Sequence, residues 1–128
     1  MKELTRAEEQ IMQVMWQIGK GFVNDILEHL PEPKPAYTTV STIIRILGKK
    51  GFVSYTAYGK THEYFPLMTR KQYARARIKN LLGNYFSNSV PSLASFITRE
   101  ENLSLGELEE IRSIMDEEIN KLKTNLNE

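Results

Sequence analysis

The sequence predicts a mainly α-helical fold with one small β-hairpin. Apolar residues recur at three- and four-residue spacing through most of the chain, which is typical of helices. Aromatic and β-branched runs are confined to its middle, and glycines and prolines separate the patterns. With 128 residues, 41% of them hydrophobic, the chain can form one folded domain with a helical extension.

The first helix begins with a capping-box pattern, in which a Thr5 hydroxyl precedes the Glu8 carboxylate by three residues. Gly19 and Gly21 end it. Adjacent helical residues point about 100° apart, so we expect Glu8 and Glu9 to be surface charges. The expected buried face comprises Leu4, Ala7, Ile11, Val14, Met15 and Ile18.

Two further helices follow. A short one spans Phe22 to Leu30 and is stopped by prolines at positions 31, 33 and 35. The next spans about Thr38 to Lys50 and has an apolar stripe formed by Val40, Ile43, Ile44 and Leu47.

Phe52–Thr56 and His62–Phe65 are then predicted to pair as a hairpin around a turn at Tyr58–Lys60. Its aromatics Tyr55, Tyr64 and Phe65 fit the hairpin core, with stacking on nucleotides as the alternative.

The remainder is predicted to be helical, and it is acidic from Leu81 onward. We divide the chain into residues 1–68 and 69–128. A helix runs from Thr69 to about Leu82, and a loop through Ser92 precedes a helical piece ending near Ile97. We expect the run Leu93–Ile97 to be buried. The last helix, from Leu103 or Ser104 to Leu122, has an apolar stripe that predicts a homodimer through Leu108, Ile111, Met115, Ile119 and Leu122.

Three helices followed by a hairpin is the order of a winged helix-turn-helix domain that binds double-stranded DNA. Residues 34–79 hold ten bases and one acid, a net charge of +9, whereas residues 81–128 have a net charge of −5. A basic block within a folding pattern favours a polyanion surface. An interaction module for an acidic protein is the alternative. The candidate DNA-contacting residues are Tyr37, Thr38, Thr39, Thr42, Arg45, Lys49, Lys50 and, at the hairpin tip, Lys60.

Several function classes receive no support from the sequence. The chain has no cysteine, and its two histidines have no carboxylate at ligand spacing, so we expect no metal and no cofactor. We find no nucleophile or phosphate-loop motif, and therefore no catalytic residue or enzyme activity is predicted. A signal peptide and a membrane-length apolar run are also lacking, which predicts a cytoplasmic protein without membrane insertion.

These residues resemble the penicillinase and methicillin-resistance repressor family, BlaI/MecI/CopY. The resemblance covers nearly the whole chain. It rests on Thr5–Met12 with Trp16, on Tyr37–Leu47, on Lys49–Val53, on the hairpin end Glu63–Pro66, and on the tail Leu105–Lys123.

The resemblance implies a dimeric repressor that binds an inverted-repeat operator through its N-terminal domain and dimerises through its C-terminal helices. It also implies induction through a membrane sensor protease pathway that cleaves the repressor between Asn and Phe; the matching position here is Ser95-Phe96. The copper branch uses a cysteine-rich tail, which this chain lacks. Many members have Arg where this chain has Ile46, with Arg45 one place earlier.

Overall fold

The structure, a computed structural model that describes residues 3–126, confirms the mainly helical fold with one hairpin and its winged-helix order. One predicted loop was wrong in part: a helix begins at Val90, before the predicted loop ends at Ser92. Ser89 caps this helix by accepting a hydrogen bond from the Ser92 amide, and Pro91 lies in its first turn. The elements are α1 (Arg6–Ile18), α2 (Val23–Glu28), α3 (Tyr37–Lys49), β1 (Val53–Tyr58), β2 (Thr61–Pro66), α4 (Arg70–Tyr85), α5 (Val90–Glu100) and α6 (Leu105–Leu126).

One hydrophobic core lies among α1, α2, α3 and the hairpin. The α3 stripe behaves as predicted at three positions, because Val40, Ile44 and Leu47 are fully buried, while Ile43 is half-buried. On α1 the prediction was wrong at two neighbouring positions: Ala7 is exposed and Glu8 is buried. The α1 face that meets the core is therefore turned toward Glu8 and Met12 relative to the face that the apolar pattern predicts.

The hairpin, or wing, gains a third strand-like edge from the segment after α1. β1 and β2 are antiparallel, with Tyr55 opposite Tyr64, and Gly59 takes a φ of 64° in the tight turn. Gly21 exchanges two backbone hydrogen bonds with Tyr64, at 2.9 and 2.8 Å. A Cβ at Gly21 would lie 2.8 Å from Ile18 Cδ1 and 3.1 Å from Asp25 Cβ, so a larger residue there would require these side chains to shift.

The chain forms two compact units, of which the first ends at Ile78 and the second begins at Lys79. The first unit extends beyond residue 68 because Tyr73 of α4 is buried in its core. The Tyr73 ring lies 5.5 Å from the Trp16 ring and 6.0 Å, edge-on, from the Phe52 ring. Trp16 Nε1 also donates a hydrogen bond of 2.9 Å to the carbonyl oxygen of Met68.

A buried ion pair joins the start of α1 to the end of α3. Lys50 Nζ lies 2.8 Å from Glu8 Oε1, and the Glu8 side chain is 5% exposed. Glu8 also accepts from the Thr5 amide, completing the predicted capping box. Burial raises the pKa of Glu8, but the Lys50 and Thr5 hydrogen bonds together outweigh it, so the pKa lies below the ordinary value of 4.5.

Replacing Lys50 tests how much the ion pair between Lys50 and Glu8 contributes to the stability of the fold. We expect Lys50→Met to lower the free energy of unfolding at pH 7 by about 1.5–3 kcal/mol, because a charged hydrogen-bond partner of a buried carboxylate is lost. The depressed pKa of Glu8 means that its contribution to stability is fully present above the unfolded-state pKa and is lost as the pH falls through the lower folded-state pKa. The deficit should therefore shrink as the pH falls below about 4.

Denaturant unfolding at several pH values measures this effect, and the neighbouring exposed lysine supplies the control. Lys49→Met removes the same charge from the same helix and should change stability by less than about 0.5 kcal/mol. Equal effects of the two substitutions would contradict a structural role for the pair.

Candidate nucleic-acid interface

Burial of the apolar stripe leaves the opposite side of α3 in solvent. We call Thr38, Thr39, Thr42, Arg45 and Lys49 the polar face of α3, and all five are exposed, as is Tyr37. Thr42 Oγ1 donates to the Thr38 carbonyl oxygen at 2.9 Å, and Arg45 Nη2 donates to Ser41 Oγ at 3.3 Å. The first turn of α3 has neither an acidic residue nor a side-chain cap. Its positive helix end therefore favours an anion.

The wing flanks this helix with aromatic and basic side chains. Lys60 is exposed at the wing tip, beside Gly59. The expected core position is confirmed for Tyr64, which is buried, but was wrong for Tyr55, which is 50% exposed. The Tyr55 ring stacks on His62 at 4.0 Å with the ring planes 8° apart. Tyr55 and His62 thus form an accessible aromatic plate, and Phe65 is half-buried.

A groove of about 520 Å³ separates α3 from the wing. Tyr37, Ser41 and Arg45 line it from α3, and Tyr55 and His62 line it from the wing. At its floor, burial raises the pKa of Tyr64, and the positive charge of Arg45 opposes that rise. Ser41 and His62 were not among the candidate DNA-contacting residues, because no sequence pattern distinguishes them. Only the structure shows that they line the groove.

The basic block does not form one surface. Lys34 Nζ is directed at the end of α2, where it donates to the carbonyl oxygens of Leu27, Glu28 and Leu30 at 3.0, 2.7 and 3.0 Å. Lys50 Nζ is paired with Glu8 Oε1 inside the fold, and its DNA contact stays a prediction. Three of the remaining bases, Arg45, Lys49 and Lys60, lie on α3 and the wing, and five lie on α4, namely Arg70, Lys71, Arg75, Arg77 and Lys79.

The second unit leaves many of its large apolar residues exposed. None of the described residues of α5 or α6 is buried. Leu108, Ile111, Met115, Ile119 and Leu122 of α6 are 36–61% exposed. The first four line a groove of about 500 Å³ with Ala94, Ser95 and Thr98 of α5.

The expected burial of Leu93–Ile97 was wrong for the single chain. Phe96 is 52% exposed, Ile97 is exposed, and Ser95 is half-buried. The Phe96 ring meets the Phe86 ring edge-on at 5.4 Å, and this contact covers only part of it. The position that matches the cleaved bond therefore lies on a partly accessible surface of α5.

Among residues 3–126, no helix is long and apolar enough to cross a membrane. Within the same range, no three His, Cys, Asp or Glu side chains are grouped closely enough to hold a metal ion.

Comparison with known proteins places this arrangement in a family of regulators. The methicillin resistance regulatory protein MecI of Staphylococcus aureus (strain N315) is 28% identical over 115 residues, which are 89% of this chain and 94% of that protein. The penicillinase repressor of Bacillus licheniformis is 22% identical over 122 residues, 94% of this chain and 95% of that protein. A solved CopR repressor structure is 32% identical, covers 52% of this chain and 99% of that chain, and has a TM-score of 0.44.

The family model for the penicillinase repressor matches residues 4–117, which include the wing, the polar face of α3 and most of α6. Because that match spans both compact units, the chain belongs to the penicillinase repressor family.

Proposed function

We propose that this protein is a dimeric transcriptional repressor that binds an inverted-repeat operator and blocks the polymerase site there. The observation that carries the proposal is the polar face of α3, exposed beside a wing with Lys60 at its tip, in a member of a repressor family. The relatives are named regulators of methicillin resistance and of penicillinase. We therefore propose resistance or cell-envelope genes as the targets.

The proposed contacts follow from side-chain length and charge. Thr38, Thr39 and Thr42 are short, which lets α3 enter a major groove closely. Arg45 reaches a base edge or a phosphate once it leaves Ser41, and Tyr37 and Lys49 lie toward the two ends of the same helix. Lys60 at the wing tip meets the backbone beside the groove. Lys50 is left out of this set because Glu8 holds it.

Arg45→Ala tests the polar face of α3. The test DNA is an inverted-repeat duplex enriched by the protein from a random pool. We expect a loss of about 1–3 kcal/mol in binding free energy if Arg45 contacts a base, with an unchanged thermal midpoint because the side chain is exposed. Arg6→Ala removes an equivalent exposed charge from α1 and should leave the affinity unchanged in the same gel-shift titration. Wild-type affinity of Arg45→Ala would refute the assignment.

The proposed dimer rests on the exposed apolar stripe of α6. A contiguous apolar surface on a small unit marks an interaction site, and two linked winged helices can bind two half-sites at once. A second copy of the same stripe is the partner of matching chemistry, since an interface with two-fold symmetry uses the same patch on both subunits.

Ile111→Glu should separate the two subunits, because it places a charge within the stripe. We expect sedimentation to change from dimer to monomer at micromolar concentration. Affinity for the full operator should fall by about a hundredfold, as the half-sites are no longer bound together. Ser113→Glu adds the same charge on another side of α6, two residues away, and should remain dimeric. A wild-type chain that sediments as a monomer would contradict the proposal.

We further propose inactivation by proteolysis after Ser95, downstream of a membrane sensor protease. The half-buried Ser95 and exposed Phe96 support access, although α5 must unfold locally before a protease can bind the backbone. Cleavage would separate the winged helix from α6 and so weaken operator binding. Mass spectrometry of repressor from β-lactam-treated cells should show a fragment ending at Ser95. An intact chain in cells whose target genes are already switched on would rule this mechanism out.

A further inference from the structure

α4 carries a concentration of positive charge that the fold does not use. Five bases and no acid lie between Arg70 and Tyr85, and all five bases are exposed. Among the described residues, one of the five bases forms an ion pair: Arg77 lies 3.5 Å from Glu3, and both side chains are exposed. Arg70 lies 6.0 Å over the Trp16 ring. Neither contact involves Lys71, Arg75 or Lys79.

This charge distribution opposes helix stability. Lys71, Arg75 and Lys79 stand at i, i+4 and i+8, where like charges destabilise a helix by about 0.2–0.5 kcal/mol for each pair. Arg70 and Lys71 also occupy the first turn, whose positive dipole end disfavours cations. The capping box that begins α4 pairs Thr69 with the neutral Gln72, at 3.0 and 2.9 Å, where an acidic residue would have offset the charge.

The buried Tyr73 determines which way these bases point. Tyr73 packs on Trp16 and Phe52, and its hydroxyl donates a 3.4 Å hydrogen bond to Glu9. With 3.6 residues per turn, Lys71 and Arg75 lie on the side of the helix opposite Tyr73. We call Lys71, Arg75 and Lys79 the basic face of α4. Lys71 and Arg75, the two members of this face within the first unit, point away from the core of that unit.

We propose that the basic face of α4 binds the phosphate backbone of duplex DNA that flanks the operator, outside the half-site contacted by α3. The inference rests on the proposed function. Charge complementarity selects the partner: a run of cations at regular spacing suits the regular phosphates of a duplex. The exposed large apolar residues of α4, Ile78, Leu81 and Tyr85, lie in the second half of the helix, beyond Lys71 and Arg75. Bases and apolar residues therefore do not form two opposed faces along the same length of helix, as they do in amphipathic helices that bind membranes.

Binding to duplexes of two lengths tests the proposal with the full-length protein. One duplex ends at the enriched inverted repeat, and the other carries about 15 further base pairs of random sequence on each side. The wild type should bind the long duplex at least about tenfold more tightly, with a steeper salt dependence. Lys71→Gln/Arg75→Gln should bind the short duplex within twofold of wild type and should lose most of the length effect. Its salt slope on the long duplex should fall by about one for each lost phosphate contact.

The control variant is Lys121→Gln/Lys123→Gln, which removes two exposed bases from α6 and should retain the length effect. A thermal midpoint within a few degrees of wild type establishes that both variants are folded. Equal binding of both duplexes by the wild type would overturn the proposal. The same result is expected if the basic face of α4 binds another partner, such as an acidic protein. An equal loss on the short duplex would also overturn it, because α4 would then contact the half-site. Failure of the proposed function would give a different result, because the wild type would then show no preference for the enriched sequence over random DNA of the same length.

Discussion

The burial of Val40, Ile44 and Leu47 is the constraint on which the rest of the first unit depends. Three fully buried side chains on one stripe fix the rotation of α3 about its axis. That rotation alone directs the threonines and Arg45 to solvent. The 2.8 Å ion pair between Lys50 and Glu8 then holds the end of α3 against α1. The orientation of the polar face of α3 is therefore a consequence of core packing and needs no interaction by the polar residues themselves.

The wing is oriented by a second set of constraints. Gly21 joins the segment after α1 to β2 through two backbone hydrogen bonds with Tyr64. Tyr55, the cross-strand partner of Tyr64, lies on the same face of the hairpin with its ring 5.6 Å from the Tyr64 ring, and it stacks on His62. The groove between α3 and the wing thus has aromatic walls and positive charge from Arg45 and Lys60. In our proposal this combination suits a deoxyribose-phosphate backbone, whose sugars are apolar and whose phosphates are anionic.

Sequence patterns predicted what depends on neighbours along the chain. Helix periodicity gave the α3 stripe, and β-branched and aromatic residues gave the hairpin, because both signals lie within a few residues. The patterns failed where the partner is distant. Glu8 and Lys50 are 42 positions apart, so their pairing could not be inferred from a count of charges. Lys34 was likewise counted as a free base although it binds carbonyl groups at the end of α2. The apolar stripe of α6 was visible in the sequence, but a sequence pattern does not identify the partner that packs against it.

A cysteine-free chain allows a direct test of the central claim, that a dimer presents two α3 helices to a symmetric DNA site. Ile46 is 40% exposed and adjoins Arg45, so Ile46→Cys can carry an iron chelate that cleaves nearby DNA. On the enriched duplex we expect two symmetric clusters of cuts, centred about one helical turn or a multiple of it apart. A single cluster, or cuts scattered without symmetry, would contradict the account.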